Sequence, residues 1–221
     1  MRTLLKVLFG LVSAVVILIV AAVSWFFLYS GDLPDIARLS QFAPAANTSV
    51  SDPCLPAASV AIPYEAIGEN LRNALSAVEV RLPLQISRTM FCAPSKMLSR
   101  RLDEIRTVTR LERRFTHQEL FTINANRAYF GKDLTGVQAA SQYFFHKNPS
   151  DLTIAEASLL AGLLQGPSYF SPVRHPDRAL TRRNKVIDAM LQAGSVTTSD
   201  ADAAKNAPLG IAADAARPSV Q

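Results

Sequence analysis

Residues from which metal and thiol sites are usually built are scarce in this sequence. Its 221 residues include two cysteines and three histidines, and no histidine lies near either cysteine. A structural zinc centre needs four such ligands at short spacings, so the sequence argues against a metal site of this type. Charged residues are also few, at 19% of the chain, whereas hydrophobic residues reach 49%. This balance allows one domain of moderate size with additional segments.

One long uncharged run lies near the start of the chain. Residues 7–29 contain no charged side chain, and the run is long enough to cross a hydrocarbon layer of about 30 Å. Arg2 and Lys6 precede it and acidic residues follow it, which by the positive-inside rule places residues 1–6 in the cytoplasm and the rest of the chain outside. We therefore predict a transmembrane anchor over residues 7–29. A cleavable signal peptide is the alternative, although its apolar region is usually shorter.

Two segments have the composition of non-globular chain. Residues 30–62 are rich in Pro, Ala and Ser without periodicity, which predicts an extended tether. Residues 207–221 are rich in Ala and Pro, which predicts a disordered tail. Cys54 lies in the tether, and Cys92 lies in the domain predicted over residues 63–206. In an oxidising compartment these two cysteines permit a disulfide, and two free thiols are the alternative.

Between residues 63 and 206, apolar residues recur at helical spacing, which predicts an all-α domain. The helix predicted over about 98–115 carries a stripe at steps of three and four, formed by Leu98, Leu102, Ile105, Val108 and Leu111. Arg101, Glu104 and Glu112 fall on or beside this stripe. The arginines expected to point away from it are Arg106, Arg110, Arg113 and Arg114. Inward-facing charges form either a structural ion pair or a site that holds an anion beside a carboxylate.

Basic residues are concentrated between residues 81 and 114, where nine basic side chains accompany three acidic ones. A basic stripe is one signature of nucleic-acid binding. The predicted anchor would instead present this stripe at the outer face of a membrane. Membrane lipids or a lipid pyrophosphate are therefore the expected partners, and nucleic acid is not expected.

Local signals mark several helix boundaries. Thr116 and Thr153 each precede a glutamate by three residues, the spacing of a capping box, which predicts that helices begin there. Gly131 and Gly136 suit a tight connection between two helices, because glycine adopts backbone conformations that other residues avoid.

The segment Arg100-Arg101-Leu102-Asp103-Glu104 resembles the Arg-Lys-x-x-Glu motif of glycosyltransferase family 51. This family comprises the peptidoglycan glycosyltransferases of monofunctional transglycosylases and class A penicillin-binding proteins. Later segments resemble the family's remaining motifs in order and spacing: residues 111–115, 126–131, 136–140, 152–163 and 166–172. Glu79 and the segment Gln85-Ile86-Ser87-Arg88 look like parts of the first two motifs.

The resemblance implies a lysozyme-like helical domain that polymerises lipid II, an undecaprenyl-pyrophosphoryl disaccharide-peptide, into glycan strands with inversion at the sugar. It implies two catalytic carboxylates, with Glu79 as the base and Glu104 as the second. The substrate-binding residues that it implies are Gln85, Arg88, Arg100, Arg101 and Asn126. Either these basic side chains alone or a divalent metal as well, Mg²⁺ or Mn²⁺, would bind the pyrophosphate.

The implied partners are lipid II or a nascent glycan strand, membrane lipids, and cell-wall synthases or other divisome or elongasome proteins. The implied location is the bacterial cytoplasmic membrane, with the N-terminus inside and the domain on the periplasmic side.

The sequence departs from the family pattern in its first two motifs. Val80 stands where the family has Asp after the catalytic Glu, and no Phe-x-x-His-x-Gly follows. The segment between the two motifs, which forms the donor-side lobe in relatives, is absent. A catalytically impaired member that binds glycan as a scaffold or regulates a cell-wall synthase is therefore the alternative. Neither Ser-x-x-Lys nor Lys-Thr-Gly occurs, so no transpeptidase activity is expected.

Overall fold

The computed structural model describes residues 2–28, 33–55, 59–78, 82–90 and 97–213. Helices dominate these ranges, as predicted: α1 (Arg2–Leu28), α2 (Glu69–Val78), α3 (Leu82–Met90), α4 (Met97–Arg114), α5 (His117–Arg127), α6 (Val137–Phe145), α7 (Ile154–Leu163), α8 (Pro176–Gln192) and α9 (Thr198–Asn206). Three short 3₁₀ helices cover Ala37–Phe42, Tyr64–Ala66 and Pro149–Asp151. The strands β1 (Thr48–Val50) and β2 (Ser59–Ala61) pair antiparallel, with Ser49 opposite Val60.

The predicted transmembrane anchor over residues 7–29 is not supported. Within the part of the chain that the structure describes, no helix combines the length and the apolar character needed to cross a membrane.

Helix α7 lies at the centre of the core, where it packs against α2 and α8. Its side chains are apolar on nearly every face, and a helix with this pattern is expected to be buried on all sides. Leu159, Leu160 and Leu163 are at most 1% exposed. The helix begins with the predicted capping box, in which the Thr153 hydroxyl accepts from the Glu156 N–H and the Glu156 carboxylate accepts from the Thr153 N–H. Thr116 and Glu119 form the same arrangement at the start of α5.

The connection between α5 and α6 is tight, as its glycines predict. Gly131 has a φ of 88° and Gly136 a φ of 85°. A Cβ at Gly136 would lie 2.9 Å from the carbonyl oxygen of Asn126, so a side chain at this position would force the two helices apart.

The prediction of an extended tether over residues 30–62 is wrong for its described part. Leu39 and Phe42, on the 3₁₀ helix Ala37–Phe42, are fully buried, as are Ala61 and Ile62 at the end of β2. These apolar residues are few and lie among Pro, Ala and Ser, yet each fills a position in the same core. The folded unit therefore begins well before residue 63.

The predicted tail also begins later than expected. The fully buried guanidinium of Arg183 donates from Nη2 to the carbonyl oxygen of Lys205 at 2.7 Å and from Nη1 to that of Ala207 at 2.7 Å. The Ala212 N–H then donates to the Phe144 carbonyl oxygen at 2.7 Å. Residues 207–213 are thus fixed to the core, and residues 214–221 lie outside the described residues.

Helix α4 buries a different face from the one its apolar stripe predicts. Arg106, expected to point outward, is only 8% exposed, whereas Ile105, expected inside, is 52% exposed. The inward face carries Arg106, Thr107 and Leu111, and Asp103 compensates the charge of Arg106, with 3.6 Å between Oδ1 and Nη1. Ile105 and Val108 of the predicted stripe therefore face an open groove, and Glu112, expected beside the stripe, is exposed, whereas Leu111 is buried as the stripe predicts.

Candidate active site

The candidate site is centred on an ion pair between α3 and α4. Arg88, in the last turn of α3, places its Nε 3.8 Å from Oε2 of Glu104. The Ser87 hydroxyl donates to the Glu104 backbone carbonyl at 3.4 Å, so the two helices are held at the level of the pair. The Arg88 side chain is 60% exposed and that of Glu104 is 15% exposed. This asymmetry leaves the guanidinium donors open to a ligand while the carboxylate is largely covered.

An open groove of roughly 640 Å³ begins at Arg88. We call it the Tyr129 groove; it is lined by Cys54, Leu55, Gln85, Arg88, Thr89, Asn124, Arg127, Ala128, Tyr129, Leu164 and Pro167. Gln85 and Arg88 present an amide and a guanidinium to it one turn apart on α3. Tyr129 is 44% exposed and offers an aromatic ring and a hydroxyl, the amphipathic surface that sugar rings and their hydroxyls can contact. The groove therefore combines phosphate-binding and sugar-binding chemistry.

The structure brings together three of the predicted residues, Gln85, Arg88 and Glu104. Arg101 is exposed on α4, one turn before the Glu104 position. Arg100 lies in the same helix, but its side chain is outside the described residues, as is all of Glu79. The roles of these two residues remain predictions.

Asn126, predicted to bind substrate, has its side chain bonded to backbone groups in the core. It is fully buried. Its side-chain amide forms hydrogen bonds with the backbone of residues 30–62, the segment predicted to be a tether. Nδ2 donates to the carbonyl oxygens of Phe42 at 2.9 Å and Ile62 at 2.8 Å, and Oδ1 accepts from the Ile62 N–H at 3.1 Å. Asn126 is a structural residue that joins α5 to the N-terminal segment.

Comparison with known proteins decides the family. A family model described as transglycosylase matches residues 81–191, which is half of the chain. The chain belongs to the transglycosylase family.

The matched relatives are much longer than this chain. It is 35% identical over 127 residues to penicillin-binding protein 1A of Aquifex aeolicus, which covers 58% of the chain and 18% of that protein. It is 36% identical over 118 residues to penicillin-binding protein 1A of Escherichia coli, covering 53% of the chain and 14% of that protein. A crystal structure of penicillin-binding protein 1A from Haemophilus influenzae is similar with a TM-score of 0.46 and 24% identity, over 67% of this chain and 17% of that one. The chain thus spans less than a fifth of these relatives.

Within the transglycosylase match lie Gln85, Arg88 and Glu104, whereas Glu79 precedes its first residue, 81. The three predicted residues that the structure brings together are therefore also covered by the family model. Glu79, the predicted base, lies outside both the described residues and the matched range.

A buried charge cluster beside the site was not predicted from the sequence. Asp52 is fully buried, and its Oδ2 lies 2.5 Å from Nη1 of Arg127 and 3.6 Å from Nε of Arg38. Arg127 also donates to the Thr89 carbonyl oxygen at 3.2 Å, and Arg38 donates to that of Met90 at 3.3 Å. The cluster therefore fixes the C-terminal end of α3 directly after Arg88. The only available signal was Arg127, within the segment that resembles a family motif; Asp52 lies in a stretch of low periodicity.

The surroundings of Asp52 control its protonation. Burial alone would raise the pKa of its carboxyl group, but the hydrogen bond from the Cys54 N–H and the charges of Arg127 and Arg38 outweigh burial and hold the pKa below its ordinary value. Cys54 itself is in a disulfide. Its predicted partner, Cys92, lies outside the described residues, so the pairing stays a prediction.

The divalent metal expected at the pyrophosphate stays a prediction. No group of three or more His, Cys, Asp or Glu side chains within the described ranges could hold a metal ion. The two neighbouring carboxylates of α4 already have cationic partners, because Asp103 contacts Arg106 and Glu104 contacts Arg88.

Proposed function

We propose that this chain is a peptidoglycan glycosyltransferase that polymerises lipid II, a polyprenyl-pyrophosphoryl disaccharide-peptide, with inversion at the sugar. The observation that carries the proposal is the Arg88–Glu104 pair, in which a 60% exposed guanidinium opens onto the Tyr129 groove. Guanidinium groups bind phosphate through several parallel N–H donors and stay charged at all physiological pH values. A lipid pyrophosphate matches the guanidinium of Arg88, and its attached sugar matches the ring and hydroxyl of Tyr129.

The reaction forms one bond, breaks another and moves one proton. The 4-hydroxyl oxygen of the acceptor sugar forms a bond to the anomeric carbon of the donor, and the bond from that carbon to the pyrophosphate oxygen breaks. A carboxylate base takes the hydroxyl proton, and we propose Glu79 for this role. Arg88 and Arg101 stabilise the negative charge that develops on the departing pyrophosphate.

Glu104 acts on Arg88 in this mechanism. Its carboxylate, 15% exposed, orients the guanidinium before substrate arrives, so little reorganisation is needed during the reaction. Gln85, one turn earlier on α3, is placed to contact the pyrophosphate or the sugar next to it. We propose that the protein acts at the extracytoplasmic side of the bacterial cytoplasmic membrane, where a nascent glycan strand and other cell-wall synthases are its partners.

The test is polymerisation of labelled lipid II by the full chain in detergent. We expect polymer from the natural protein and a loss of at least about 100-fold in Glu104→Gln and Arg88→Gln, the size of effect seen when one electrostatic contact to a developing charge is removed. Glu79→Gln should abolish activity if this residue is the base. Glu69→Gln is the matched control, because it makes the same change at an exposed position on α2, outside the grooves beside the site. Equal activity of Glu104→Gln and Glu69→Gln would contradict the mechanism.

A second function is favoured by one observation: the match to the family model begins after Glu79. A chain that keeps the phosphate-binding half of the site without a working base would bind lipid II or glycan as a scaffold or regulator of a synthase. In that case lipid II binds the natural protein without forming polymer, and Arg88→Gln weakens the binding. Binding without turnover in the same experiment therefore separates the two functions.

A further inference from the structure

A small cavity borders the Tyr129 groove at Pro167. We call it the basic cavity; its lining includes Phe130, Lys132, Pro167, Ser168, Ser171 and Arg174, and its volume is about 60 Å³. Pro167 also lines the Tyr129 groove, so the two openings share this residue. A ligand that extends from the groove across Pro167 therefore reaches the basic cavity.

Two cationic side chains line this cavity without a carboxylate to compensate them. They are Lys132 and Arg174, and within the described ranges every ion pair involves other residues. Asp133, which follows Lys132 in the chain, is exposed and does not line the cavity. Like charges beside one cavity repel each other and attract a counter-ion into it. The hydroxyls of Ser168 and Ser171 add hydrogen-bond donors, so the lining favours an anion.

The backbone holds Lys132 in a conformation that residues with a Cβ seldom adopt. Lys132 has a φ of 47° and Asp133 a φ of 59°, in a turn closed by the hydrogen bond from the Leu134 N–H to the Gly131 carbonyl oxygen at 2.8 Å. Such values occur mainly where the surrounding structure or a function requires them. The Lys132 ammonium donates to the Tyr143 hydroxyl at 2.5 Å and lies 5.2 Å from the ring centre. Its side chain is therefore oriented before a ligand binds.

Arg174 is positioned by a turn of its own. Its backbone N–H donates to the Ser171 hydroxyl at 3.4 Å, and the His175 N–H donates to the Ser171 carbonyl oxygen at 2.8 Å. Pro172, within this turn, is buried, whereas Arg174 is exposed. The turn thus fixes the backbone of Arg174 and leaves its guanidinium available to a ligand.

The size of the cavity distinguishes between anions. A cavity needs about 10–15 Å³ to hold one water molecule, so one of about 60 Å³ admits a carboxylate group together with the carbon that bears it. A pyrophosphate is about twice as large as this and does not fit. The lipid phosphates therefore belong at Arg88, which lines the Tyr129 groove and not the basic cavity.

We propose that the basic cavity binds a carboxylate of the peptide that the disaccharide substrate carries. The proposal rests on the proposed function, because it adds a further contact to the same substrate. A peptide ends in a carboxylate, and guanidinium and ammonium groups bind carboxylates through charge-assisted hydrogen bonds. Lys132 and Arg174 thus recognise the peptide, separately from Arg88, which holds the pyrophosphate, and Tyr129, which contacts the sugar.

The test measures the affinity of the full chain, in detergent, for three lipid-free probes by isothermal titration calorimetry. The probes are the disaccharide-peptide, the same compound with its peptide carboxylates converted to amides, and the disaccharide without peptide. We expect the acid to bind about tenfold more tightly than the amide or the bare disaccharide, the effect of one charge-assisted hydrogen bond. Lys132→Gln and Arg174→Gln should each remove this difference. Since both residues are exposed, neither substitution should disturb folding, which far-UV circular dichroism checks.

Lys185→Gln is the matched control, because it makes the same change at an exposed position on α8 that lines neither the basic cavity nor the Tyr129 groove. It should keep the full difference between acid and amide. The proposal fails if the natural protein binds acid and amide equally. It also fails if the difference persists in both Lys132→Gln and Arg174→Gln, or if Lys185→Gln removes it as completely as they do.

Failure of the proposed function has a different signature. There, lipid II forms no polymer and its binding is unaffected by Arg88→Gln, whereas the three probes above contain neither lipid nor pyrophosphate. A preference for the acid that Lys132→Gln and Arg174→Gln remove would in that case still assign the basic cavity to peptide carboxylates.

Discussion

Two ion pairs contact the C-terminal half of α3, and they differ in almost every physical respect. Asp52 and Arg127 are 0% and 2% exposed and lie 2.5 Å apart. Arg88 and Glu104 are 60% and 15% exposed and lie 3.8 Å apart. The first pair is completed by backbone groups on both sides, since Asp52 accepts from the Cys54 N–H and Arg127 donates to the Thr89 carbonyl oxygen.

The difference separates a structural pair from one available to ligand. A buried pair costs several kcal/mol if one partner is removed, because the other charge is left without compensation in a medium that solvates it poorly. An exposed pair contributes about 0–1 kcal/mol and can exchange partners with a ligand at little cost. The buried cluster therefore fixes the backbone at Thr89 and Met90, and the neighbouring Arg88 is held in place while its guanidinium stays free to bind.

The largest effect on stability is expected from Asp52→Asn, which removes the buried ion pair. The substitution keeps the shape of the side chain but removes the charge that compensates Arg127, so we expect a loss of about 3–5 kcal/mol in the free energy of unfolding. Urea unfolding followed by far-UV circular dichroism measures it, because the single tryptophan, Trp25, lies on α1 and would not report on the core. Asp202→Asn, at an exposed position on α9, is the control and should change stability by less than about 0.5 kcal/mol.

The same pair makes stability depend on pH in a defined direction. The pKa of Asp52 is lower in the folded protein than in the unfolded chain, so its contribution is fully present above the unfolded value, about 4. That contribution is lost as pH falls through the folded value. Asp52→Asn should therefore flatten the acid side of the stability curve, and an unchanged acid slope would show that other carboxylates control it.

The sequence predicted the helices around α7 well because their local and global signals agree. The Thr-x-x-Glu spacings at Thr116 and Thr153 mark the starts of α5 and α7, and the glycines between α5 and α6 have the positive φ values that their positions require. In this region each apolar position is also a core position. The apolar periodicity and the observed burial therefore identify the same residues as core.

The α4 face and the N-terminal segment could not be predicted in the same way. The stripe through Ile105 predicted an inward face, but Arg106 is buried with Asp103 as its charge partner, an arrangement that periodicity does not encode. Leu39 and Phe42 are buried by contacts with α5, far away in sequence. At the candidate site, Arg88 and Glu104 were predicted through the family resemblance, whereas Asp52 gave no local signal.

An intermediate effect is expected from Asn126→Ala, which sharpens the distinction between structural and ligand-binding residues. Removing the amide leaves the Phe42 carbonyl and both backbone groups of Ile62 without their buried partner, so we expect a loss of roughly 2–3 kcal/mol in the free energy of unfolding. The affinity of the folded protein for lipid II should not change. A variant of natural stability that no longer binds lipid II would return Asn126 to the substrate site.

The smallest effect on stability is expected from Arg88→Gln, the substitution that should weaken lipid II binding most. Because the Arg88 side chain is 60% exposed and its contact with Glu104 is 3.8 Å long, its loss should change the free energy of unfolding by less than about 0.5 kcal/mol. Urea unfolding of Arg88→Gln and Asp52→Asn under the same non-reducing conditions makes the contrast direct. If Arg88→Gln proved as destabilising as Asp52→Asn, both pairs would be parts of one structural cluster. The guanidinium of Arg88 would then not be available to a pyrophosphate, because binding it would require the fold to give up a contact on which it depends.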